Sequence, residues 1–339
     1  MKVICSIFLF LMSLQLVGQE LKNNIPIHDP VMAKQGDRYY LFGTGNGISF
    51  YSSADKINWK AEQPIFKEAP EWAVKAIPGF KNHIWAPDIS FYHGLYYLYY
   101  SVSTFGKNNS CIGLATNTTL DPNDVKYHWI DRGKIIQSIP KITNWNAIDP
   151  NLITDKHGKP YLAFGSFWEG LKLVKLKRNR LKINQDISQL PTLASRVKDT
   201  LEQKLPTKDN PKEIIANAIE APFIFYKSGW YYLFASTDYC CKGPKSTYKM
   251  IVGRAKNIKG PYLDKDGISL AKGGGSLLLA GDENWYGVGH NSVYNFDGED
   301  YIVFHGYDVS AKGKSKLRIE SLKWEDNWPY VSPNNIQNN

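Results

Sequence analysis

The chain has 339 residues, 43% of them hydrophobic and 14% aromatic, and a net charge of +9. That length suits one large all-β unit or two smaller domains, so length alone does not separate them. Lys and Arg are scattered, apart from Lys172 to Lys182, and no nucleic-acid motif accompanies them, so the charge reads as a solvated face and nucleic acid is excluded as a partner.

Taken in chain order, residues 1–18 place Lys2 before the apolar run Ile4 to Met12 and end in small residues at Val17-Gly18, the layout of a secretory signal peptide. The run is too short for a typical membrane span, and no later stretch is long enough. The mature chain is therefore expected to be exported, periplasmic or secreted, with no membrane span. Cys5 precedes most of the apolar run, which argues against a lipid-attachment cysteine. Past the signal only Cys111, Cys240 and Cys241 are left, an odd number without zinc-ligand spacing. The adjacent pair either closes a small ring or packs as two thiols, and the sequence leaves both open.

From residue 25 to 332 one pattern recurs five times. Tyr-rich hairpins begin at Tyr39, Tyr96, Tyr161, Tyr231 and Tyr301, which are 57, 65, 70 and 70 residues apart. Upstream of each lies a short polar segment: His28-Asp29-Pro30, Ala86-Pro87-Asp88, Ile148-Asp149-Pro150, Ile219-Glu220-Ala221-Pro222 and Gly289-His290-Asn291. With Asp29, Asp88, Asp149, Glu220 and His290 as equivalents, the offsets to the tyrosines are 10, 8, 12, 11 and 11. Each hairpin is followed by a further strand, such as Cys111 to Thr116 or Lys316 to Leu322. One small sheet cannot bury both faces until neighbours stack around an axis, so the pattern predicts an all-β, five-bladed β-propeller. The start of each innermost strand would then present a polar residue to a common centre. The segment Leu317 to Trp324 is expected to complete the last blade. Between Asn184 and Ala216 the pattern lapses into a Lys-rich insertion with a short helix expected around Leu193 to Leu205, and residues 333–339 read as a disordered tail.

An acid beside proline at a strand start ordinarily caps a turn. Capping does not explain three acids at matching repeat positions, where mutual repulsion costs stability. Asp29, Asp149 and Glu220 therefore read as functional. Asp88 follows its proline and so points elsewhere by the period of the strand. Glycoside hydrolysis needs one protonated acid and one ionised base, and a third carboxylate can hold the acid's proton by raising its pKa. Trp85, Phe105, Trp145, Trp168, Tyr239 and Trp285 lie near the polar strand starts or in the following loops, where rings can stack on sugars, although several must be core. His290 reads first as a core histidine, with substrate contact or an axial cation as its other roles. Arg318 shares a strand face with Lys316 and Glu320, which fits a surface ion pair.

At these residues the chain resembles glycoside hydrolase family 43, in particular its endo-α-1,5-L-arabinanases. The resemblance rests on His28-Asp29-Pro30, Trp85-Ala86-Pro87-Asp88-Ile89, Tyr99 to Gly106, Asn146 to Leu152, Phe164 to Trp168, Ala218 to Phe223, Asp238 to Gly243, Ser246 to Lys249 and Gly289 to Ser292, in order along the chain. It implies an inverting hydrolase of α-1,5-linked L-arabinan, with Asp29 as general base, Glu220 as general acid and Asp149 raising the pKa of the acid. It implies a hydrated calcium or similar ion on the axis beside His290, and no organic cofactor. Trp85, Asp88, Phe105, Asn146, Ser166, Trp168 and Arg318 are expected to contact arabinan or arabino-oligosaccharide, and the enzyme is expected to act as a monomer. The alternatives are an exo-acting α-L-arabinofuranosidase or β-xylosidase of the same family, or a non-catalytic sugar-binding propeller. The double cysteine would pack near the cleft.

Overall fold

A computed structural model describes residues 25–196 and 217–331. The expected signal peptide, the tail 333–339 and most of the insertion lie outside the described residues. The rest is an all-β, five-bladed propeller whose sheets follow one another in chain order. Each blade opens on an inner strand: Val31–Gln35, His83–Tyr92, Asn151–Thr154, Ile219–Lys227 and Trp285–Phe296. The Tyr-rich hairpins supply the second strands, Arg38–Gly43, Leu95–Val102, Pro160–Phe164, Trp230–Thr237 and Glu299–Asp308. All neighbouring strands pair antiparallel, as short connections require.

Alternation explains the tyrosines. In the first hairpin Tyr40, Phe42 and Phe50 face one neighbouring blade, while Tyr39 and Leu41 face the other, joining Phe296, Val303 and Leu317 of blade five. Apolar faces on both sides of each sheet bury only when the circle closes. No strand is shared across the seam between blades five and one, where each blade keeps its own four strands. The seam is held by that apolar cluster, by Leu317 N–H donating to Ile25 O at 3.0 Å, and by Met32 N–H donating to the Tyr294 hydroxyl at 3.0 Å.

Two expectations need correction. Leu317 to Trp324 lies in the third strand of blade five, Lys314–Glu325, and the outermost strand is Trp328–Val331. Leu193 and Ala194 belong to the edge strand Thr192–Ala194 of blade three rather than to a helix, because they pair back onto Leu171–Lys175 and bury both side chains.

Candidate active site

Five residues at the axis share one conformation. Asp29, Ala86, Asp149, Ala221 and His290 all have positive φ, between 42° and 56°. Each immediately precedes Pro30, Pro87, Pro150, Pro222 or Asn291. A bulky residue in this region is strained, so five repeats of it mark a position that the surrounding structure enforces. Measured to the hairpin tyrosine, the offsets become 10, 10, 12, 10 and 11, more regular than the equivalence read from the sequence. Asp88 and Glu220 are thus not the fivefold equivalents of Asp29. Glu220 stands one residue earlier, and the Ala221-Pro222 bulge breaks the ladder between Glu220 and Phe223.

The amide N–H of each axial residue is held by the preceding blade. Thr44 Oγ1 accepts from Ala86 at 2.8 Å, Ser101 Oγ from Asp149 at 2.9 Å and Ser236 Oγ from His290 at 2.8 Å. His305 Nδ1 accepts from Asp29 at 3.1 Å. At the remaining junction the matching hydroxyl, Ser166 Oγ, donates instead to Glu220 Oε2 at 2.9 Å, and Asp149 Oδ2 takes the Ala221 N–H at 3.1 Å. Two members of the ring are therefore diverted to place the carboxyls.

Asp29, Asp149, Glu220 and His290 line one cavity of about 870 Å³. Trp85, Phe105, Asn146, Ser166 and Trp168 line it too. Phe105 is 82% exposed and stands at the rim, whereas Trp168 is only 4% exposed and forms part of the wall. Asp88 and Arg318 are not brought to it. Asp88 is buried and accepts hydrogen bonds from Leu152 N–H at 2.7 Å and Asn151 Nδ2 at 3.1 Å, so it stitches blade two to blade three. The proline shift turns its side chain along the blade junction, as alternation implies. Arg318 is buried in blade five, with Nε 2.9 Å from Glu320 Oε1 and its guanidinium 4.4 Å from the Trp285 ring, so its ion pair is internal rather than on the surface. Trp145 and Trp285 are core residues.

The electrostatics divide the carboxyls into two kinds. Burial would raise the pKa of Asp29, but His290, with Nδ1 3.0 Å from Asp29 Oδ1, and His28 outweigh it and hold the carboxyl well below the usual range. Thr44 Oγ1 also donates to Asp29 Oδ2. Burial lowers His290, yet Asp29 and the other carboxylates push it up to about 9, so the imidazole is charged at neutral pH. Asp149 is pushed up to about 8, first by burial and then by Glu220 and Asp29 against the pull of His290. Burial also raises Glu220, against hydrogen bonds from the Tyr248 hydroxyl at 2.7 Å and from Ser166. Asp149 and Glu220 are thus both raised, whereas Asp29 is lowered.

Several contributors were not singled out from sequence. Tyr248 belongs to the Ser246 to Lys249 segment but carries no sequence signal of its own. Its ring reaches Glu220 because Gly289 has no side chain, since a Cβ there would lie 2.2 Å from the ring. In the ladder His305 pairs with Gly289 as Ser101 pairs with Trp85 and Ser236 with Glu220, so it stands where other blades put a hydroxyl, although by count from the hairpin tyrosine it falls one residue earlier. Thr44, His28 and Phe167 also line the cavity. Cys240 and Cys241 form a disulfide and lie on the cavity wall beside Tyr239. Among the described residues, His28, Asp29 and His305 bring metal-ligating atoms within 4.8 Å of one another, and His290 is not a member of that group.

Comparison with known proteins agrees with this geometry. The model of glycosyl hydrolases family 43 matches residues 24–329. An extracellular exo-α-(1→5)-L-arabinofuranosidase of Cellvibrio japonicus is 46% identical, over 91% of this chain and 86% of that protein. An extracellular endo-α-(1→5)-L-arabinanase of Bacillus subtilis is 40% identical, over 91% of this chain and 88% of its own. The solved structure of a Cellvibrio cellulosa α-L-arabinanase complexed with arabinohexaose superposes with a TM-score of 0.86 at 44% identity, covering 93% of this chain and 98% of that one. The chain belongs to glycosyl hydrolase family 43.

Proposed function

We propose that this family 43 enzyme hydrolyses α-1,5-linked L-arabinan with inversion, cutting within the chain. The observation that carries the reading is that three carboxyls meet in one cavity in unlike settings, Asp29 lying 3.0 Å from His290 and lowered by it, Asp149 and Glu220 raised by burial. In this reading Asp29 accepts a proton from water as that water attacks the anomeric carbon, and Glu220 gives its proton to the departing O5 of the next arabinose. Asp149 and Glu220 repel each other when both are ionised, so the pair resists losing its last proton, and Asp149 also fixes Ala221, the residue after the acid. Trp85 and the exposed Phe105 offer rings at the cavity mouth for flanking sugars.

A hydrated calcium or similar cation on the axis belongs to the same proposal. His290 Nε2, the nitrogen left over from the Asp29 contact, would give up its proton to the ion's displacement, and the adjacent Asn291 would help to hold it. The Asn291 side chain is buried and has no hydrogen-bond partner among the described residues, and its amide oxygen suits a hard cation. Bound there, the ion would add positive charge beside Asp29. The chain is proposed to be exported, in keeping with the extracellular relatives, and to act as a monomer.

The 46% identity to an exo-acting relative favours exo attack as the second reading. Digestion of linear arabinan decides between them: early release of a ladder of oligomers supports endo attack, release of one small product from chain ends supports exo attack, and no release removes the activity. Proton NMR of the first-formed sugar should show inversion, and a retained α product would overturn Asp29 as base.

A further inference from the structure

The loop carrying Cys240 and Cys241 is linked to Asp29 through two buried side chains. Cys241, in the left-handed region at φ 65°, donates its N–H to the Tyr307 hydroxyl oxygen at 2.7 Å. That oxygen lies 3.2 Å from His305 Nε2, and His305 Nδ1 accepts the Asp29 N–H at 3.1 Å. Because Nδ1 accepts, the ring proton sits on Nε2 and is donated to Tyr307. Burial and neighbouring His28 keep His305 neutral, which suits this tautomer. At three other junctions the axial amide is held by the hydroxyl of Thr44, Ser101 or Ser236. Only Asp29 depends on an imidazole, whose ring plane must itself be set by a second partner.

We propose that Tyr307 and His305 are positioning residues for Asp29, and that the Cys240–Cys241 ring anchors them by fixing where the Cys241 N–H points. The proposal rests on the reading of Asp29 as general base. The ring restricts the peptide between the two cysteines. A dithiol such as dithiothreitol opens it: the S–S bond takes two electrons and two protons to become two thiols, and the dithiol closes to its cyclic disulfide. Opening returns backbone freedom to an exposed residue, Cys241, and the Tyr307 oxygen loses a fixed donor. Cys111, the other cysteine among the described residues, is buried and already free, so the reductant acts at the adjacent pair.

The test compares wild type and Tyr307→Phe, each with and without the dithiol, by kcat and KM on linear arabinan and by the ¹⁵N shifts of the His305 ring. Tyr307→Phe removes one oxygen and keeps the ring packing. Both the substitution and the reductant should lower kcat by roughly 3- to 10-fold, the range of one lost hydrogen bond, with KM little changed. The reductant should add nothing in Tyr307→Phe, because both act on one link, and the His305 shifts should move in both cases. Equal losses to the reductant in the two enzymes, or an unchanged kcat with unmoved His305 shifts, would overturn the relay. A wild type without activity on arabinan but with His305 shifts that follow the reductant would sink the substrate reading and leave the relay standing.

Discussion

Asp29, just before the inner strand of blade one, and His290, in the bulge within the inner strand of blade five, meet at 3.0 Å, and both are in the left-handed region. The charged imidazole is the chief force opposing the burial of Asp29, and it also lowers Asp149 and Glu220. Removing its charge should therefore raise all three. In His290→Gln, the acidic limb of kcat/KM should move up by roughly one to two pH units, since a cation at this range shifts a carboxylate by that order, and the basic limb should move up as well. An acidic limb that stays in place in the measured pH profile would show that His290 is not what keeps Asp29 ionised.

Glu220 accepts from Tyr248 and Ser166, so its carboxyl is fixed before substrate arrives. Glu220→Gln keeps the size and one acceptor and removes the acid. Activity on arabinan should fall about 10²- to 10⁴-fold while the folded state persists. Circular dichroism with reducing-sugar release checks this, and activity within a few-fold of wild type would exclude Glu220 from proton donation.

Asp149 gives a prediction of the opposite kind, because its raised pKa is a cost to folding. The folded state holds its proton up to about 8, whereas the unfolded chain releases it near 4. Stability is therefore lost as pH rises through that window, and the cost is complete above about 8 and absent below about 4. Asp149→Asn should raise Tm by roughly 2–5 °C at pH 9 and leave it nearly unchanged at pH 4. The same change removes like-charge repulsion from Glu220, so the basic limb of the activity profile should move down. Calorimetry at the two pH values separates this from a simple packing change, which would shift Tm equally at both.

The architecture was legible because each blade repeats its own apolar alternation and its own turn. Asp29, Asp149 and His290 were legible because they break that alternation at one place in the repeat. What the sequence obscured was a one-residue offset. Glu220 looks like a fourth member of the series, but the conformational equivalent of Asp29 in that blade is Ala221, and only the shared left-handed φ reveals it. Asp88 misleads for the same reason, since Ala86 holds its blade's axial position. Thr44 and His305 were hidden because they hold amides across blade junctions, and Tyr248 because its hydroxyl reaches Glu220 from just before the third strand of the same blade, contacts that no local pattern marks.

Gly289 shows how such a contact is protected. A Cβ at this position would lie 2.2 Å from the Tyr248 ring, so Gly289→Ala must displace that ring or the strand. Tyr248→Phe removes only the hydroxyl that lowers Glu220. Both variants should move the basic limb upward and reduce kcat, and Gly289→Ala should also lose about 1–3 kcal/mol of stability from overpacking. A Gly289→Ala enzyme with the wild-type profile and unchanged denaturant midpoint would show that the ring has another place to go.

The proposed axial cation should support activity and not folding. His290 can spare one nitrogen and Asn291 one oxygen, so most of the shell would be water and the affinity modest. The raised pKa of His290 also favours a proton over a metal ion near neutral pH, which weakens binding further. The blades, by contrast, close through apolar clusters that owe nothing to an ion. Prolonged chelation should therefore depress kcat and leave Tm within about a degree, unlike a small domain whose folding is coupled to its metal. Calcium should restore the rate. A large fall in Tm on chelation would make the ion structural, and an unchanged kcat with no metal found by elemental analysis would leave His290 as the partner of Asp29 alone.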